Sequence, residues 1–556
     1  MRIPPGLTEA DFTRAVGEFR QAIGNDWVFT EDADLDLYRD AYSPLWDEAE
    51  EKIASAALAP QSAEEVQAVM KIANAYRIPI YPVSTGRNLG YGGSAPVLSG
   101  SVVLDLKRMN RIIEVNEANA FALVEPGVSY FDLYRYIQEK KLKLWIDCPD
   151  PGWGSVIGNA LDHGCGYTTN PYRDHFEAHC GMEVVLANGD LVRTGMGALP
   201  NAETWQQFRW GYGPWVDGLF GQSNFGVVTK MGIWLLPEPE AFRSGSVQVM
   251  HYNDIHKLVE ITARMMNKGV LNAGTGLQSP MQFGLGRNPE LQQRYERANE
   301  EDVRILDEAA QQTNTPWWSS QFKFYGPPGI INASWDYVKQ VFTAEIEGVR
   351  FLEQEYFEFP MTQEIIDKSQ DENHLGIPSL SVFSLGARSN FNPTGTNGHL
   401  GFSPVIPMTG KAVLESQKVL AEVFREMNAR TVFNVFPQSY HQRTFVILVG
   451  FSVIRDQTTN QRTREIFRRL VQVAAEHGWG EYRTHTAFMD DCAAAYSFND
   501  HALRRLHETL KDAIDPNGII SAGRYGIWPK HLRDGSEEAS SPPQLHALTV
   551  STYPRS

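Results

Sequence analysis

Residues 78–93 read Ile78-Pro79-Ile80-Tyr81-Pro82-Val83-Ser84-Thr85-Gly86-Arg87-Asn88-Leu89-Gly90-Tyr91-Gly92-Gly93, an apolar run that breaks into a glycine-rich phrase. The apolar half predicts a strand. Four glycines in the second half let the backbone turn tightly and come close to a bound group without a Cβ in the way. A strand feeding such a loop aims successive N–H groups at one spot, a concavity suited to a diphosphate. Tyr91 rides on the same loop, which brings a phenol toward the reacting end of whatever is bound. Far downstream, Gly480-Glu481-Tyr482-Arg483-Thr484-His485 adds a second phenol and a permanent cation. A diphosphate cradle with a Tyr91, Tyr482 and Arg483 trio predicts an enzyme that holds a cofactor and acts on an anionic ring.

Around this phrase the chain alternates strands and helices. Ile53 to Ala59, stopped by Pro60, reads as a strand, and Ser62 opens a helix with Glu65 placed for a capping box. Val66, Val69, Met70 and Ala73 give that helix one apolar face. Strand-like runs follow at Ser101–Leu106, Ile112–Val115 and Phe121–Val124, then a helical stretch from Tyr130 to Lys141. No G-x-G-x-x-G joins a first strand to its helix, which excludes a dinucleotide βαβ unit. From about Pro239 the pattern shifts to long amphipathic helices at His256–Lys268, Asn288–Thr313 and Gly410–Ala429, mixed with strands such as Thr444–Val449. Asn288 and Pro289 supply start chemistry for the middle helix. Leu503–Ile514 ends in the turn Asp515-Pro516-Asn517-Gly518, which leads into Ile519-Ile520, and the tail from Asp534 to Pro543 is rich in Ser, Glu and Pro. The fold class is α+β.

The 556 residues are enough for more than one domain and for a deep pocket between domains. A formal charge of −17 argues against nucleic acid and anionic membrane as partners. Cys148, Cys165, Cys180 and Cys492 form no CxxC pair and no regular framework, as expected of reduced thiols in a cytoplasmic protein. No apolar run suits a leader or a bilayer span, and the last residues lack a peroxisomal-type ending.

Other phrases have a plain reading beside a chemical one. In Asp147-Cys148-Pro149-Asp150-Pro151-Gly152-Trp153-Gly154-Ser155-Val156-Ile157-Gly158-Asn159, backbone N–H groups and the Ser155 hydroxyl suit a flavin or phosphate, and Asp150 is stiffened by flanking prolines. The plain alternative is a Pro-Gly turn. His175 and His179 do not follow the His-Glu-x-x-His order, so they are expected to be structural or surface residues, and no metal is expected. In Asn397-Gly398-His399-Leu400-Gly401-Phe402-Ser403-Pro404, small neighbours leave the His399 ring open to a large group, although a lone histidine is more often a satisfied polar residue. Tyr482-Arg483 is ordinary on a strand edge, yet a phenol with pKa ~10 is held as phenolate near neutral pH only by such donors and such a cation.

Together these phrases resemble the vanillyl-alcohol oxidase family of flavoproteins, especially its para-substituted phenol oxidases of the eugenol oxidase and 4-ethylphenol oxidase type. The likeness runs from about Ala56 to Pro529. It takes in Gly86–Gly93, Gly154–Asn159, Gly164-Cys165-Gly166-Tyr167-Thr168, Asp217–Asn224, Gly398-His399 with Phe402-Ser403-Pro404, Gly480–His485 and Asp515–Ile520. The resemblance implies a two-domain flavoprotein: an FAD-binding part at 1–239, a substrate or cap part at 240–500, and a segment 501–556 returning to the first. It implies that Thr85, Gly86, Arg87, Asn88 and Leu89 hold the FAD diphosphate and that Ser155, Gly158, Asn159 and Val228 line the rest. Arg524 would face the N1/C2 edge of the flavin, and His399 would be an 8α-histidyl attachment point. Tyr91, Tyr482 and Arg483 would clamp a phenolate, Asp150 would act as acid/base, and Tyr167, Gly401, Ser403 and Phe436 would shape the substrate pocket. The implied reaction takes hydride from the benzylic carbon through a para-quinone methide, followed by water addition or desaturation, with O2 reduced to hydrogen peroxide. The family alternative is a 4-cresol dehydrogenase type that passes electrons to a cytochrome.

Two departures stand out. No histidine precedes His163, whereas the family's fungal vanillyl-alcohol enzyme carries one in its N-terminal region that helps form the covalent bond. The segment between Ala198 and Trp215 is short beside the loop that builds that enzyme's octamer, so a homodimer is expected.

Overall fold

The computed structural model describes residues 2–88, 90–168, 172–273, 275–285, 288–381, 398–429, 436–441 and 443–533, with the backbone alone at 275, 283, 296 and 436–441. Leu89, Asn397, the side chains of Phe436 and His441, and the tail 534–543 therefore lie outside the described residues.

Helix starts follow the local chemistry. Ser62 accepts from Glu65 N and begins the helix Ala63–Tyr76, whose Val66, Val69, Met70 and Ala73 are buried as the spacing predicts. The expected reciprocal half of this box differs: the Glu65 carboxylate takes the N–H of Gln61 rather than that of Ser62. A complete box forms at Ser129 and Asp132 instead, ahead of the helix Tyr130–Glu139.

Three larger sheets and a two-stranded ladder, Leu144–Trp145 with Leu236–Pro237, occur among the described residues. Val28–Phe29, Ala56–Leu58, Val102–Asp105 and Ile80–Val83 form the first in that order, with the last three strands parallel. A second, antiparallel sheet runs Ile112–Asn116, Phe121–Val124, Val227–Trp234, His179–Val185, Leu191–Arg193. The third runs Arg350–Glu358, Ala241–Val249, Trp318–Gly326, Thr275–Gln278, Phe436–His441, Thr444–Val453, Gly398–Phe402, with Val405–Pro407 also paired to Thr444–Val453. Helices Ile255–Asn267, Pro328–Glu345, Gly410–Glu426 and Gln457–Glu476 contribute apolar faces to the large core beside it, around Trp317, Trp335, Phe342 and Phe467.

The single helix expected over 288–313 is two. Asn288 caps Pro289–Arg297 as anticipated, but Ala298 turns left-handed (φ 46°) and Asn299 caps a new helix, Glu300–Gln312, by accepting from Asp302 N. A second competent cap inside the periodic run broke it. The strand expected at 444–449 extends to Val453, because the whole length pairs with Gly398–Phe402 and Phe436–His441.

The C-terminal residues return to the first sheet. Ile520 bridges Ile80 in parallel, with Ile80 N donating to Ile519 O at 2.6 Å and Ser521 N to Ile80 O at 2.8 Å. Lys511, fully buried, pairs with Asp515 at 2.8 Å and donates to the carbonyls of Asn224 and Ile520. Asn224 in turn donates to Ser521 O and Ile527 O. This clip sets Arg524 beside the strand that leads into the glycine-rich phrase.

Candidate active site

A cavity of about 550 Å³ opens where the phrase 84–93, the helix Val156–Leu161, the strand Gly398–Phe402 and the residues 482–483 and 521–524 converge. That size suits a cofactor or substrate site.

One end is built from backbone. Strand Ile80–Val83 delivers Thr85, Gly86, Arg87 and Asn88 to the wall, and Asn88 Oδ1 closes the loop by accepting from Gly93 N at 2.6 Å. Gly90 has φ +79°, and a Cβ there would stand 2.7 Å from the carbonyl oxygen of His399, so glycine is required by both conformation and space. Ser155, Gly158, Asn159 and Val228 line the cavity as well. The Ser155 hydroxyl is committed to structure: it accepts from Gly158 N at 3.0 Å as the helix cap and donates to Pro126 O at 2.6 Å, leaving backbone rather than hydroxyl to meet an occupant. His175, buried behind Asn159, bonds Tyr130 Oη at 2.8 Å and Asp147 at 3.2 Å; His179, also buried, faces Asp217 at 3.2 Å. Both are structural, not surface, histidines. Among the described residues no group of three or more His, Cys, Asp or Glu is placed to hold a metal ion.

The other end is built from side chains. Pairing of Gly398–Phe402 with Thr444–Val453 places His399, Gly401 and Ser403 on the cavity wall. Burial pushes the His399 imidazole below its ordinary pKa, so it is neutral near pH 7. Its ring packs edge-on against Tyr42 at 5.2 Å, and its buried Nδ1 has no hydrogen-bond partner among the described residues. A bridge from Pro404 to Glu481, and both Glu481 carboxylate oxygens accepting from Ser403 N at 2.8–2.9 Å, bring the late phrase alongside.

The early tyrosine and the late pair meet. Arg483 Nη2 donates to Tyr91 Oη at 3.2 Å, and the guanidinium lies 4.1 Å from the Tyr91 ring centre and 5.4 Å from that of Tyr482. Gln222, from the 217–224 phrase, holds the arrangement by donating to Tyr482 O at 2.8 Å. Burial opposes the charge on Arg483, but the oxygens of Tyr482 and Tyr91, with Asp162, outweigh it, and the guanidinium stays cationic. Its buried Nε has no hydrogen-bond partner among the described residues. An unpaired buried donor on a cation marks a place for an acceptor. Asp150 lines the cavity and accepts from Ser381 Oγ at 2.6 Å. Tyr167 is wall, its phenol raised chiefly by burial and next by Asp150, its carbonyl accepting from Lys323. Arg524 donates to Tyr81 Oη at 2.6 Å and to Asp162 at 2.9 Å. Asp162, Gln222, Glu481 and Tyr42 were missed by the sequence reading. Gln222 and Glu481 lie inside the phrases Asp217–Asn224 and Gly480–His485, which is a signal for them; Asp162 and Tyr42 had none.

Known proteins resemble this chain over most of its length. The family described as "FAD binding domain" matches residues 54–195, and "FAD linked oxidases, C-terminal domain" matches residues 422–525. The flavoprotein subunit of the hydroxylating 4-cresol dehydrogenase of Pseudomonas putida is 35% identical over 532 residues, covering 94% of this chain and 97% of the relative. The chain belongs to the vanillyl-alcohol oxidase family. The structure of p-cresol methylhydroxylase with substrate bound superposes with TM-score 0.79 at 32% identity, over 95% of this chain and 99% of that one. The isoeugenol complex of 4-ethylphenol oxidase from Gulosibacter chungangensis gives TM-score 0.79 at 34% identity, over 96% and 100%. The two-domain FAD-binding fold of this family is therefore the fold of this chain. No helix among the described residues is long and apolar enough to cross a membrane.

Proposed function

We propose that the protein is an FAD-dependent oxidase of para-substituted phenols. The observation that carries this reading is the Arg483–Tyr91 contact of 3.2 Å beside Tyr482, in the same cavity as the glycine-built cradle and His399. The residues fit the cofactor: Thr85 to Asn88 suit its diphosphate, Ser155, Gly158, Asn159 and Val228 its remaining length, and Arg524 its ring edge. When bound, FAD supplies the hydride acceptor for a benzylic C–H and, once reduced, the electrons that turn O2 into hydrogen peroxide.

This chain's residues do the rest. Arg483, with Tyr91 and Tyr482 as O–H donors, holds the substrate oxygen as phenolate, and electron donation from that oxygen weakens the para benzylic C–H. Departure of hydride leaves a para-quinone methide. Asp150 then accepts a proton, either from a water that adds to the benzylic carbon or from the neighbouring carbon, which sets hydroxylation against desaturation. Tyr167, Gly401 and Ser403 bound the para substituent.

The neutral His399 with its unpartnered Nδ1 supports covalent attachment of the flavin there; acid denaturation that leaves the yellow colour on the protein tests this. The division into 1–239, 240–500 and 501–556 is supported by a third sheet confined to the middle part and by the return of Ile520 to Ile80. Exposed Leu199, Phe208, Trp210, Tyr212 and Trp215 support a homodimer, tested by light scattering, and four unpaired thiols support a cytoplasmic setting.

A second reading, a dehydrogenase that hands electrons to a cytochrome, is favoured by the likeness to a flavoprotein subunit of 4-cresol dehydrogenase. One experiment addresses both. A 4-alkylphenol under argon bleaches the flavin, and readmitted air restores the colour with stoichiometric peroxide. Bleaching without rapid reoxidation selects the dehydrogenase, and no bleaching by any para-substituted phenol overturns the reading altogether.

A further inference from the structure

Besides Arg87 in the cradle wall, Arg483 and Arg524 line the cavity, and Asp162 bonds Arg524 and acts on the charge of Arg483. It sits just past the last residue of the helix Val156–Leu161, where the helix dipole disfavours an anion. Arg524 Nη2 donates to its Oδ1 at 2.9 Å, and the Tyr525 hydroxyl donates to the same oxygen. The other Arg524 amine is spent on Tyr81 Oη at 2.6 Å, so the guanidinium is fixed in one plane. Asp162 lines the cavity with Arg483 and Arg524, and the Asp162 and Arg524 side chains are only 14% and 19% exposed.

We infer that Asp162 is a positioning residue for Arg483 and Arg524: it orients Arg524 and offsets one of the two positive charges that this pair presents to an occupant of the cavity. Burial alone would raise the Asp162 carboxyl, but Arg524, the Tyr525 hydroxyl and Arg483 hold it below the usual carboxylate range, so the negative charge is present near pH 7. With that charge in place, the group of Arg483, Arg524 and Asp162 carries one net positive charge, enough to favour a phenolate and a reduced flavin anion without trapping either. The part about phenolate rests on the function proposed above; the part about the cofactor needs only that FAD binds.

The test is the midpoint potential of the FAD-loaded protein, titrated with a chemical reductant and no phenol, together with binding of 4-chlorophenol, which has no benzylic C–H to lose. Asp162→Asn raises the potential and tightens 4-chlorophenol severalfold, whereas Asp162→Glu leaves the potential near that of the unmodified protein. If Asp162→Asn does not fold with flavin, Tyr525→Phe decides the matter: loss of a donor concentrates charge on the carboxylate and lowers the potential. A potential that is unchanged or moves the opposite way in these variants overturns the inference. A raised potential with no 4-chlorophenol binding keeps the role of Asp162 and rejects the phenol reading instead.

Discussion

The two ends of the cavity are made differently. At the cradle, contiguous segments present backbone: the loop after Val83 and the start of the helix Val156–Leu161 meet so closely that a Cβ on Gly158 would stand 2.3 Å from Ser84 Oγ. At the clamp, residues hundreds of positions apart present charge: Tyr91 meets Arg483, and Tyr81 and Asp162 meet Arg524. Backbone N–H groups suit a ligand part that is the same in every turnover, because they need no side-chain choice and no titration. Side chains suit the part where charge develops. Holding and chemistry are thus separable, and substitutions at the two ends have different signatures.

The largest effect belongs to Arg483→Ala. Removing one charge-assisted donor to a buried oxyanion slows anaerobic flavin reduction by a 4-alkylphenol roughly 10²–10³-fold. FAD content is unchanged, because Arg483 is no part of the cradle. Stopped-flow absorbance gives the rate and the visible spectrum gives the content; loss of both together would mean that the two ends are not separable.

A smaller effect of opposite character comes from Gly90→Ala. The left-handed conformation at φ +79° costs roughly 1–2 kcal/mol for a residue with a Cβ. The new methyl also meets a backbone carbonyl that cannot swing away. FAD retention and thermal stability fall together, while reduction of the FAD-bound fraction slows little. Gly269→Ala is the control, with φ +74° but nothing within 4 Å of its Cβ position: it carries the conformational cost alone.

The same contrast explains what could be read from the sequence. The cradle was legible because its information is local: strand, glycines and Tyr91 lie within sixteen consecutive residues, 78–93, and the structure places them as that phrase suggests. The clamp was legible only as residue types, and the resemblance to a family supplied the expectation that they meet. Asp162 was invisible because its importance comes from Arg524, which reaches it only through the return of Ile520 to Ile80. The helix expected across 288–313 failed for a local reason, a second Asn cap at Asn299 that apolar periodicity does not weigh. Ser155 was read as a ligand group although Ser is first of all a helix cap, and the cap is what it does.

The smallest predicted effect lies one layer behind the clamp. Lys323, buried on the strand Trp318–Gly326, donates to Tyr167 O at 3.0 Å and so supports the pocket wall. Burial, reinforced by Arg173, pushes its amine down to about 7, although Asp371, Asp147 and Glu355 pull the other way. The unfolded chain keeps the ordinary lysine pKa of ~10.4, so between the two values it binds more protons than the folded one, and stability rises with pH across that window. Below the folded pKa both states are protonated and the full cost of the buried charge is present. Lys323→Met removes that cost, together with the bond to Tyr167. The melting temperature of the variant relative to the unmodified protein therefore climbs as pH falls from about 9 to 7, then levels off. The sign of the difference at any one pH is not diagnostic, because the lost hydrogen bond offsets it by an amount independent of pH. The slope is diagnostic, and a difference that is flat across that window would place the titration of Lys323 elsewhere and leave the wall behind Tyr167 insensitive to pH.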